Sequence, residues 1–257
     1  MTIIYFFIAL FATTAGSMAG LGGGVIIKPL LDVLGDFNVA TISVLSSMTV
    51  FSMAIVSIIK QIRYRFKIQY KKTILIGIGS IVGGVIGEKV LKYVLNLSDG
   101  SSITTIQNSI LLILLISVYI FMNNRNKFKT YNVSGIFSCI LIGIGLGSIA
   151  SFLSIGGGPI NVCVLTLFFS MNTKEAAVNS IVTILFSQGS KLISIATTTG
   201  FETFDLSVMP FMIVGGILGG ILGSTYNKSI KELYVLKVFN FVVISLIIVN
   251  FYNITSA

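Results

Sequence analysis

Two short stretches, LGGGVIIKP at residues 21–29 and IGGGPINVC at residues 155–163, decide how this sequence is expected to fold. Each places three consecutive glycines inside a long apolar stretch, and the two triplets lie 134 positions apart. Glycine weakens a helix interior by about 1 kcal/mol relative to alanine. At membrane depth, backbone that leaves the helix must be shielded by protein or reached by water. The triplets therefore predict two breaks in helical structure at matching positions.

The rest of the chain has the composition of a membrane protein. Of its 257 residues, 54% are hydrophobic and 10% are charged, whereas soluble domains carry about 25% charged residues. The uncharged runs 109–122 and 238–252 approach the roughly 20 residues that cross a bilayer core. They are apolar throughout, unlike the alternating strands of a membrane barrel. We expect an all-α integral membrane protein with eight to ten segments in the lipid bilayer.

Charge and residue usage argue against several other classes of protein. The net charge of +9 does not indicate a nucleic-acid partner, because most Lys and Arg residues fall in three short stretches between apolar runs. Cys139 and Cys163 lie within apolar segments, and the chain has no His, the commonest metal ligand. We therefore expect no catalytic residues, no cofactor and no metal site.

Hydropathy and glycine or proline positions divide the chain into ten segments, five in each half. We interpret residues 1–122 as a first membrane repeat, 123–133 as a basic cytoplasmic linker, and 134–257 as a second membrane repeat. The predicted segments are 3–19, 25–34, 39–59, 73–95, 103–122, 134–153, 159–170, 175–198, 207–226 and 234–252.

Matching blocks in the two halves indicate an internal duplication. LGGG at residue 21 pairs with IGGG at residue 155, and VLSSM (44–48) pairs with AVNSI (177–181) at a shift of 133. GSIVGGVIGE (79–88) pairs with GGILGGILGS (215–224) at a shift of 136. We expect the GGxxG pieces in this last pair to serve close helix packing.

The distribution of charge predicts that the second repeat is inverted relative to the first. Residues 60–72 carry six Lys and Arg, whereas their counterpart, 199–206, carries Glu202 and Asp205 and no basic residue. Residues 226–237 carry three Lys, and their counterpart in the first half carries none. Basic loops face the cytoplasm, so this pattern puts both termini outside. Each half then contains a glycine-broken hairpin whose short segment re-enters the membrane. Parallel repeats of four spans each are the alternative.

The glycine triplets are the candidate binding site. Short glycine-interrupted segments in corresponding places of two repeats point to the substrate site of a transporter. The N-terminus of each half-helix offers unpaired N–H groups and partial positive charge, which favour anions. The candidate residues are Gly22, Gly23 and Gly24 with Gly156, Gly157 and Gly158. The alternative is that these glycines only allow helices to pack closely.

Polar side chains follow each short segment. Ser46 and Ser47, with their counterparts Asn179 and Ser180, are candidates to donate hydrogen bonds to an oxyanion. The alternative is hydrogen bonding to preceding carbonyls within their own helices.

Charged and polar residues inside the apolar segments are further candidates. Lys28 and Asn161 lie just after the triplets, and a cation there should pair or face a ligand unless it reaches the membrane surface. We expect Lys191 to reach the surface in that way. Glu88 and Glu175 are candidates for H⁺ coupling, but both lie near segment ends and we expect them to be solvated.

The sequence resembles the TauE/SafE family of sulfite and organosulfonate exporters. The resemblance is carried by AGLGGGVIIKPLL (19–31), SIGGGPINVCVL (154–165) and KEAAVNSIV (174–182). It implies a carrier of about eight spans that moves sulfur-containing oxyanions such as sulfite, thiosulfate or sulfoacetate. Lys28, Asn179 and Ser46 depart from the residues typical of the family, which leaves the particular anion open. An anion channel of the same architecture, or a carrier of another small organic anion, is the alternative.

Overall fold

The computed structural model describes residues 2–66, 69–97 and 100–255, and these residues form ten α-helices, one 3-10 turn and no strand. Each predicted segment matches one helix, with ends displaced by at most four residues. The helices are α1 (Thr2–Ala19), α2 (Gly24–Leu34), α3 (Val39–Arg63), α4 (Tyr70–Leu97), α5 (Gly100–Asn123), α6 (Ile136–Phe152), α7 (Gly158–Phe169), α8 (Thr173–Thr198), α9 (Met209–Ser229) and α10 (Glu232–Thr255), with the 3-10 turn at Arg125–Lys127.

Within the described residues, six helices are long and apolar enough to cross a membrane. They are α3, α4, the part of α5 from residue 103, α8, α9 and α10. Helices α2 and α7 have 11 and 12 residues and are therefore about 16–18 Å long, roughly half of a bilayer core.

Helix α2 folds back along α1. The Tyr5 hydroxyl donates a hydrogen bond to the Asp36 carboxylate, which joins the start of α1 to the residues just after α2. At the other end of the pair, Gly16 packs so closely that a Cβ there would lie 2.1 Å from the Gly23 nitrogen. The two helices therefore form a hairpin that turns at the first glycine triplet.

Helix α7 folds back along α6 in the same way. The N–H groups of Tyr131 and Val133, just before α6, donate to the carbonyls of Leu167 and Phe168 near the end of α7, at 2.7 and 2.9 Å. This second hairpin turns at the second glycine triplet.

Two glycine stripes hold the long helices at close range. The first lies on α4 against carbonyls of α6, and the second lies on α9 against carbonyls of α1. An added Cβ would come within 2.1–2.7 Å of the facing carbonyl oxygen in every pair: Gly79–Ile140, Gly83–Ile144, Gly87–Ser148, Gly215–Phe6, Gly219–Leu10 and Gly223–Thr14. The expected packing role of the GGxxG pieces agrees with these contacts. Residue numbers rise together in each stripe, so α4 runs parallel to α6 and α9 runs parallel to α1.

Further contacts fix the direction of the central helices. Gly216 and Gly220 of α9 lie against successive turns of α3, which makes α3 parallel to α9, and α4 meets α8 in the same parallel sense. Lys191, in the later part of α8, contacts Ser43 near the start of α3. The later part of α3 and the earlier part of α8 both contact Gly156, so α3 and α8 are antiparallel. Thus α1, α3 and α9 run one way, and α4, α6 and α8 run the other way.

The basic connections gather at one end of the bundle. Arg125 pairs with Glu232 at 3.1 Å, and the Lys174 amine donates to the carbonyl oxygens of Lys228 and Ile230. These bonds join the linker before α6, the start of α8 and the α9–α10 connection. We call this end of the bundle the basic end and the other end, which carries the loop 199–208, the opposite end.

Candidate functional site

The two breaks share a pair of glycines with positive φ. Gly22 and Gly23 have φ of 82° and 76°, and Gly156 and Gly157 have φ of 74° and 75°. These values lie in the left-handed region, which glycine adopts without the penalty that a Cβ brings. Helices α2 and α7 start at the next residue, and no side chain caps either start. The first N–H groups of each helix therefore lack an intrahelical acceptor and carry the positive end of the helix dipole.

The two breaks touch each other in the interior of the bundle. A Cβ on Gly158 would lie 1.8 Å from the carbonyl oxygen of Leu21, and a Cβ on Gly24 would lie 2.8 Å from that of Ile155. The contact is reciprocal, because Leu21 corresponds to Ile155 and Gly24 to Gly158 at a shift of 134. All six glycines of the triplets are buried, and Gly24 and Gly158 are the two that pack directly against the other break.

Two serines tie the long central helices to the breaks. The Ser180 hydroxyl on α8 donates to the Gly20 carbonyl at 2.8 Å, and the Ser46 hydroxyl on α3 donates to the Ser154 carbonyl at 3.5 Å. These bonds correspond at a shift of 134. The pairing of Ser47 with Ser180, predicted at a shift of 133, is therefore displaced by one residue, and Ser46 is the structural counterpart of Ser180.

Several buried polar atoms near the breaks have no hydrogen-bond partner among the described residues. They are the Ser47 hydroxyl, Oδ1 of Asn161 and Nε2 of Gln188. Oδ1 of Asn161 would lie 3.1 Å from a Cβ at Gly157, and Nε2 of Gln188 would lie 3.9 Å from one at Gly156. Buried polar atoms in native proteins normally have partners, so these atoms can accept or donate to a ligand. Gln188 was not among the predicted site residues.

Asn179 lies away from the breaks. Its Oδ1 accepts hydrogen bonds from the Thr73 hydroxyl at 2.6 Å and from the Gln69 N–H at 3.2 Å, and its Nδ2 donates to the Glu175 carbonyl. In this structure the side chain joins α8 to the start of α4.

Lys28 is fully buried and does not reach the membrane surface. Its amine pairs with Asp32, one turn further along α2, at 2.7 Å and donates to Oδ1 of Asn108 at 3.4 Å. The charge of Lys28 is therefore balanced within its own helix.

A second buried cation, Lys191, forms a cluster beside the second break. Its amine donates to the Ser43 hydroxyl at 2.5 Å and to the Ser154 hydroxyl and Ser151 carbonyl at 3.3 Å, and it lies 3.7 Å from Oε2 of Glu88. Lys191 is 0% exposed and Glu88 is 5% exposed. The expectations that Lys191 reaches the surface and that Glu88 is solvated are both wrong, because the two charges pair across α4 and α8.

A cavity of about 420 Å³ leads from the opposite end of the bundle to this cluster. Its lining includes Ser43, Glu88, Lys92, Thr199 and Ala40.

The corresponding place at the basic end is filled by side chains. Lys174, the counterpart of Ala40, binds two carbonyls and lies over the ring of Phe66 at 5.4 Å. Lys228 lies over the Tyr64 ring at 4.3 Å. The Tyr64 hydroxyl makes a hydrogen bond with Thr225. This bond and the positive charge of the nearby lysines lower the pKa of Tyr64. The place of the cavity at one end is thus filled by Lys174 and Lys228 at the other end, where a separate cavity of about 360 Å³ lies beside Arg125, Asn172 and Glu232.

A bundle of apolar helices with two broken helices meeting in its interior is the architecture of a membrane transporter. Residues 5–251 match the family described as "Sulfite exporter TauE/SafE". The chain belongs to the TauE/SafE family and is a multi-pass protein of the cell membrane. It is 24% identical, over 94% of both chains, to a protein of Bacillus subtilis (strain 168) described as "Probable membrane transporter protein YunE". No solved structure matches the chain.

Proposed function

We propose that this protein is a secondary transporter that moves small sulfur-containing oxyanions, such as sulfite, thiosulfate or sulfoacetate, across the cytoplasmic membrane by alternating access. The observation that carries the proposal is the meeting of two half-helix N-termini in the bundle interior. Both ends present N–H groups and positive dipole ends to the same place, and such ends favour an oxyanion.

The residues proposed to bind the anion contribute in different ways. The glycines from Gly22 to Gly24 and from Gly156 to Gly158 supply backbone N–H groups. Ser47 and Asn161 supply polar atoms that have no partner among the described residues. Ser46 and Ser180 hold the breaks in place and can turn from carbonyl to anion when the breaks separate. Lys28 and Asn179 complete the proposed set, and each must leave its present partner to reach the anion.

We further propose that the two halves are inverted repeats related by an axis in the membrane plane. The proposal is supported by direction, because α1, α3 and α9 run opposite to their counterparts α6, α8 and α4. It is also supported by charge, because the basic end gathers the loops that the positive-inside rule places in the cytoplasm. The opposite end, the termini and the 420 Å³ cavity then face outward.

The difference between the two ends supports alternating access. Matching parts of inverted repeats are open at the outer end and closed at the cytoplasmic end. When the repeats exchange these two arrangements, the cytoplasmic end opens and the outer end closes around the same breaks. Separation of Lys174 from the Lys228 and Ile230 carbonyls is the local change that opening requires.

Flux into proteoliposomes tests the proposal. Purified protein is reconstituted, and uptake of sulfite, thiosulfate and sulfoacetate is measured with and without a proton gradient. We expect saturable uptake of at least one of these anions and faster uptake when the vesicles are preloaded with it. Uptake that does not saturate would instead indicate a channel, and no binding or movement of any of the three would overturn the substrate assignment.

A further inference from the structure

The Lys191–Glu88 pair lies at the floor of the outer cavity. Glu88 and Ser43 both line the cavity, and the Lys191 amine lies directly behind them, 2.5 Å from the Ser43 hydroxyl and 3.7 Å from the Glu88 carboxylate. Oε2 of Glu88 and the Ser151 hydroxyl are buried without a hydrogen-bond partner among the described residues. The Glu88 carboxylate therefore separates the cavity from the Lys191 amine. Its Oε2 is not held in place by a hydrogen bond from the described residues.

The architecture itself does not require charges at this place. The matching position of the other half contains three serines. They are Ser17, Ser57 and Ser224, in place of Ser151, Lys191 and Glu88 respectively. The Ser17 hydroxyl binds those of Ser57 and Ser224 at 2.8 and 2.9 Å, and all three serines are 0% exposed. Three serine hydroxyls thus occupy the corresponding positions and are hydrogen-bonded to one another. A buried ion pair often gives no net stability, so its presence in one half only points to a function.

Two cations, Lys191 and Lys92, face Glu88 at the floor of the cavity, and the exposed carboxylates of Glu202 and Asp205 lie on the loop 199–208 beside it. The charged groups near Glu88 are Lys92 on its own helix, Lys191 on α8 and, acting on Lys191 from further away, Lys28 on α2. Asp32 balances Lys28. The adjoining faces of α3 and α6 contribute serine hydroxyls and backbone carbonyls. The Lys92 amine is held at the cavity by Thr198 and Thr199, both at 2.6 Å.

We propose that the outer cavity is an oxyanion subsite gated by protonation: when Glu88 takes up a proton, Lys191 and Lys92 bind the anion in place of the carboxylate. This inference rests on the proposed anion transport and adds the coupling ion to it. The step transfers one proton to a Glu88 carboxylate oxygen, breaks the ion pair with Lys191, and forms a new ion pair between Lys191 and the anion. One proton accompanies each bound anion.

The pH dependence of thiosulfate binding tests the inference, because the charge of thiosulfate is constant near neutral pH. Because the proposed binding takes up one proton, affinity should rise as pH falls, by up to about tenfold for each pH unit. The amide of Glu88→Gln resembles a protonated carboxyl, so thiosulfate binding to this variant should be independent of pH. At high pH the variant should bind thiosulfate more tightly than the unmodified protein does. Glu88→Asp should restore the pH dependence. Sulfoacetate, whose charge is also constant near neutral pH, is the second probe.

The chain offers two matched controls. Glu202→Gln removes an exposed carboxylate from the loop beside the cavity and should leave the pH dependence unchanged. Glu88→Ser combined with Lys191→Ser copies the serine cluster of the other half, so it should fold and insert normally, yet bind thiosulfate about tenfold or more weakly.

The outcomes separate the inference from the proposed function. An unmodified protein that neither binds nor moves thiosulfate, sulfite or sulfoacetate overturns the proposed function. Binding that keeps its full pH dependence in Glu88→Gln overturns the inference alone, as does a double-serine variant that binds with unchanged affinity. The inference is supported if the number of protons moved with each anion is about one in the unmodified protein and near zero in Glu88→Gln.

Discussion

Replacement of Gly158 by alanine is the sharpest perturbation of the contact between the two breaks. Gly158 has ordinary helical geometry, so alanine introduces no backbone strain of its own. Its Cβ would lie 1.8 Å from the Leu21 carbonyl oxygen, and ordinary contact begins at 3.4 Å. The two breaks must therefore separate by about 1.6 Å, and both sides of the contact are backbone that cannot rotate away.

The expected size of the effect follows from this overlap. Inserting one methyl group into a packed site costs about 1–3 kcal/mol. If that cost falls on the state in which the breaks touch, the balance between transport states shifts by about 5- to 150-fold. We expect Gly158→Ala to insert into the membrane and to transport sulfite or thiosulfate at a rate reduced at least about fivefold.

A graded series provides the controls for this prediction. Gly24→Ala places its Cβ 2.8 Å from the Ile155 carbonyl oxygen and should have a smaller effect, and Gly145→Ala meets nothing within 4 Å. Gly145 is exposed in α6, so alanine there should preserve transport and stabilise the helix by up to about 1 kcal/mol. Flux in vesicles and unfolding in detergent measure the two quantities. Equal transport in all three variants and the unmodified protein would refute the reasoning.

Two further predictions concern the hydrogen bonds to the breaks and the orientation of the halves. Ser180→Ala removes the 2.8 Å bond to the Gly20 carbonyl and should lower the free energy of unfolding by about 1 kcal/mol, more than Ser46→Ala, whose bond is 3.5 Å long; an equal or reversed order in denaturant titration would contradict this. With both native cysteines replaced, an impermeant thiol reagent applied to intact cells should label Glu202→Cys and not Arg63→Cys. Labelling of both from the same side would favour parallel repeats.

Much of the fold could be predicted because its signals are local in the sequence. Each apolar segment, glycine triplet and basic loop lies within about 25 residues, so hydropathy and breaker residues were enough to locate all ten helices. The repeated glycine triplet was enough to locate both breaks. The spacing of Lys28 and Asp32 is also local, since residues four apart share a helix face.

The parts that could not be predicted depend on contacts between distant segments. Glu88 and Lys191 each look like a charge near a helix end, and their pairing is decided by the packing of α4 on α8 through glycine contacts. The predicted register was displaced by one because VLSSM contains two adjacent serines, Ser46 and Ser47, and either can be aligned with Ser180, the single serine of AVNSI. Only the bonds to the Ser154 and Gly20 carbonyls fix the shift at 134.

Counterflow of labelled anion tests most directly whether the paired glycine breaks carry an oxyanion. Vesicles preloaded with unlabelled thiosulfate or sulfite should take up the labelled anion faster than empty vesicles, with saturation. Vesicles containing Gly157→Leu, which forces a large side chain onto a backbone with φ of 75°, should show no such uptake although the protein remains in the membrane. Saturable, preload-stimulated uptake by Gly157→Leu at the rate of the unmodified protein would contradict the site at the breaks.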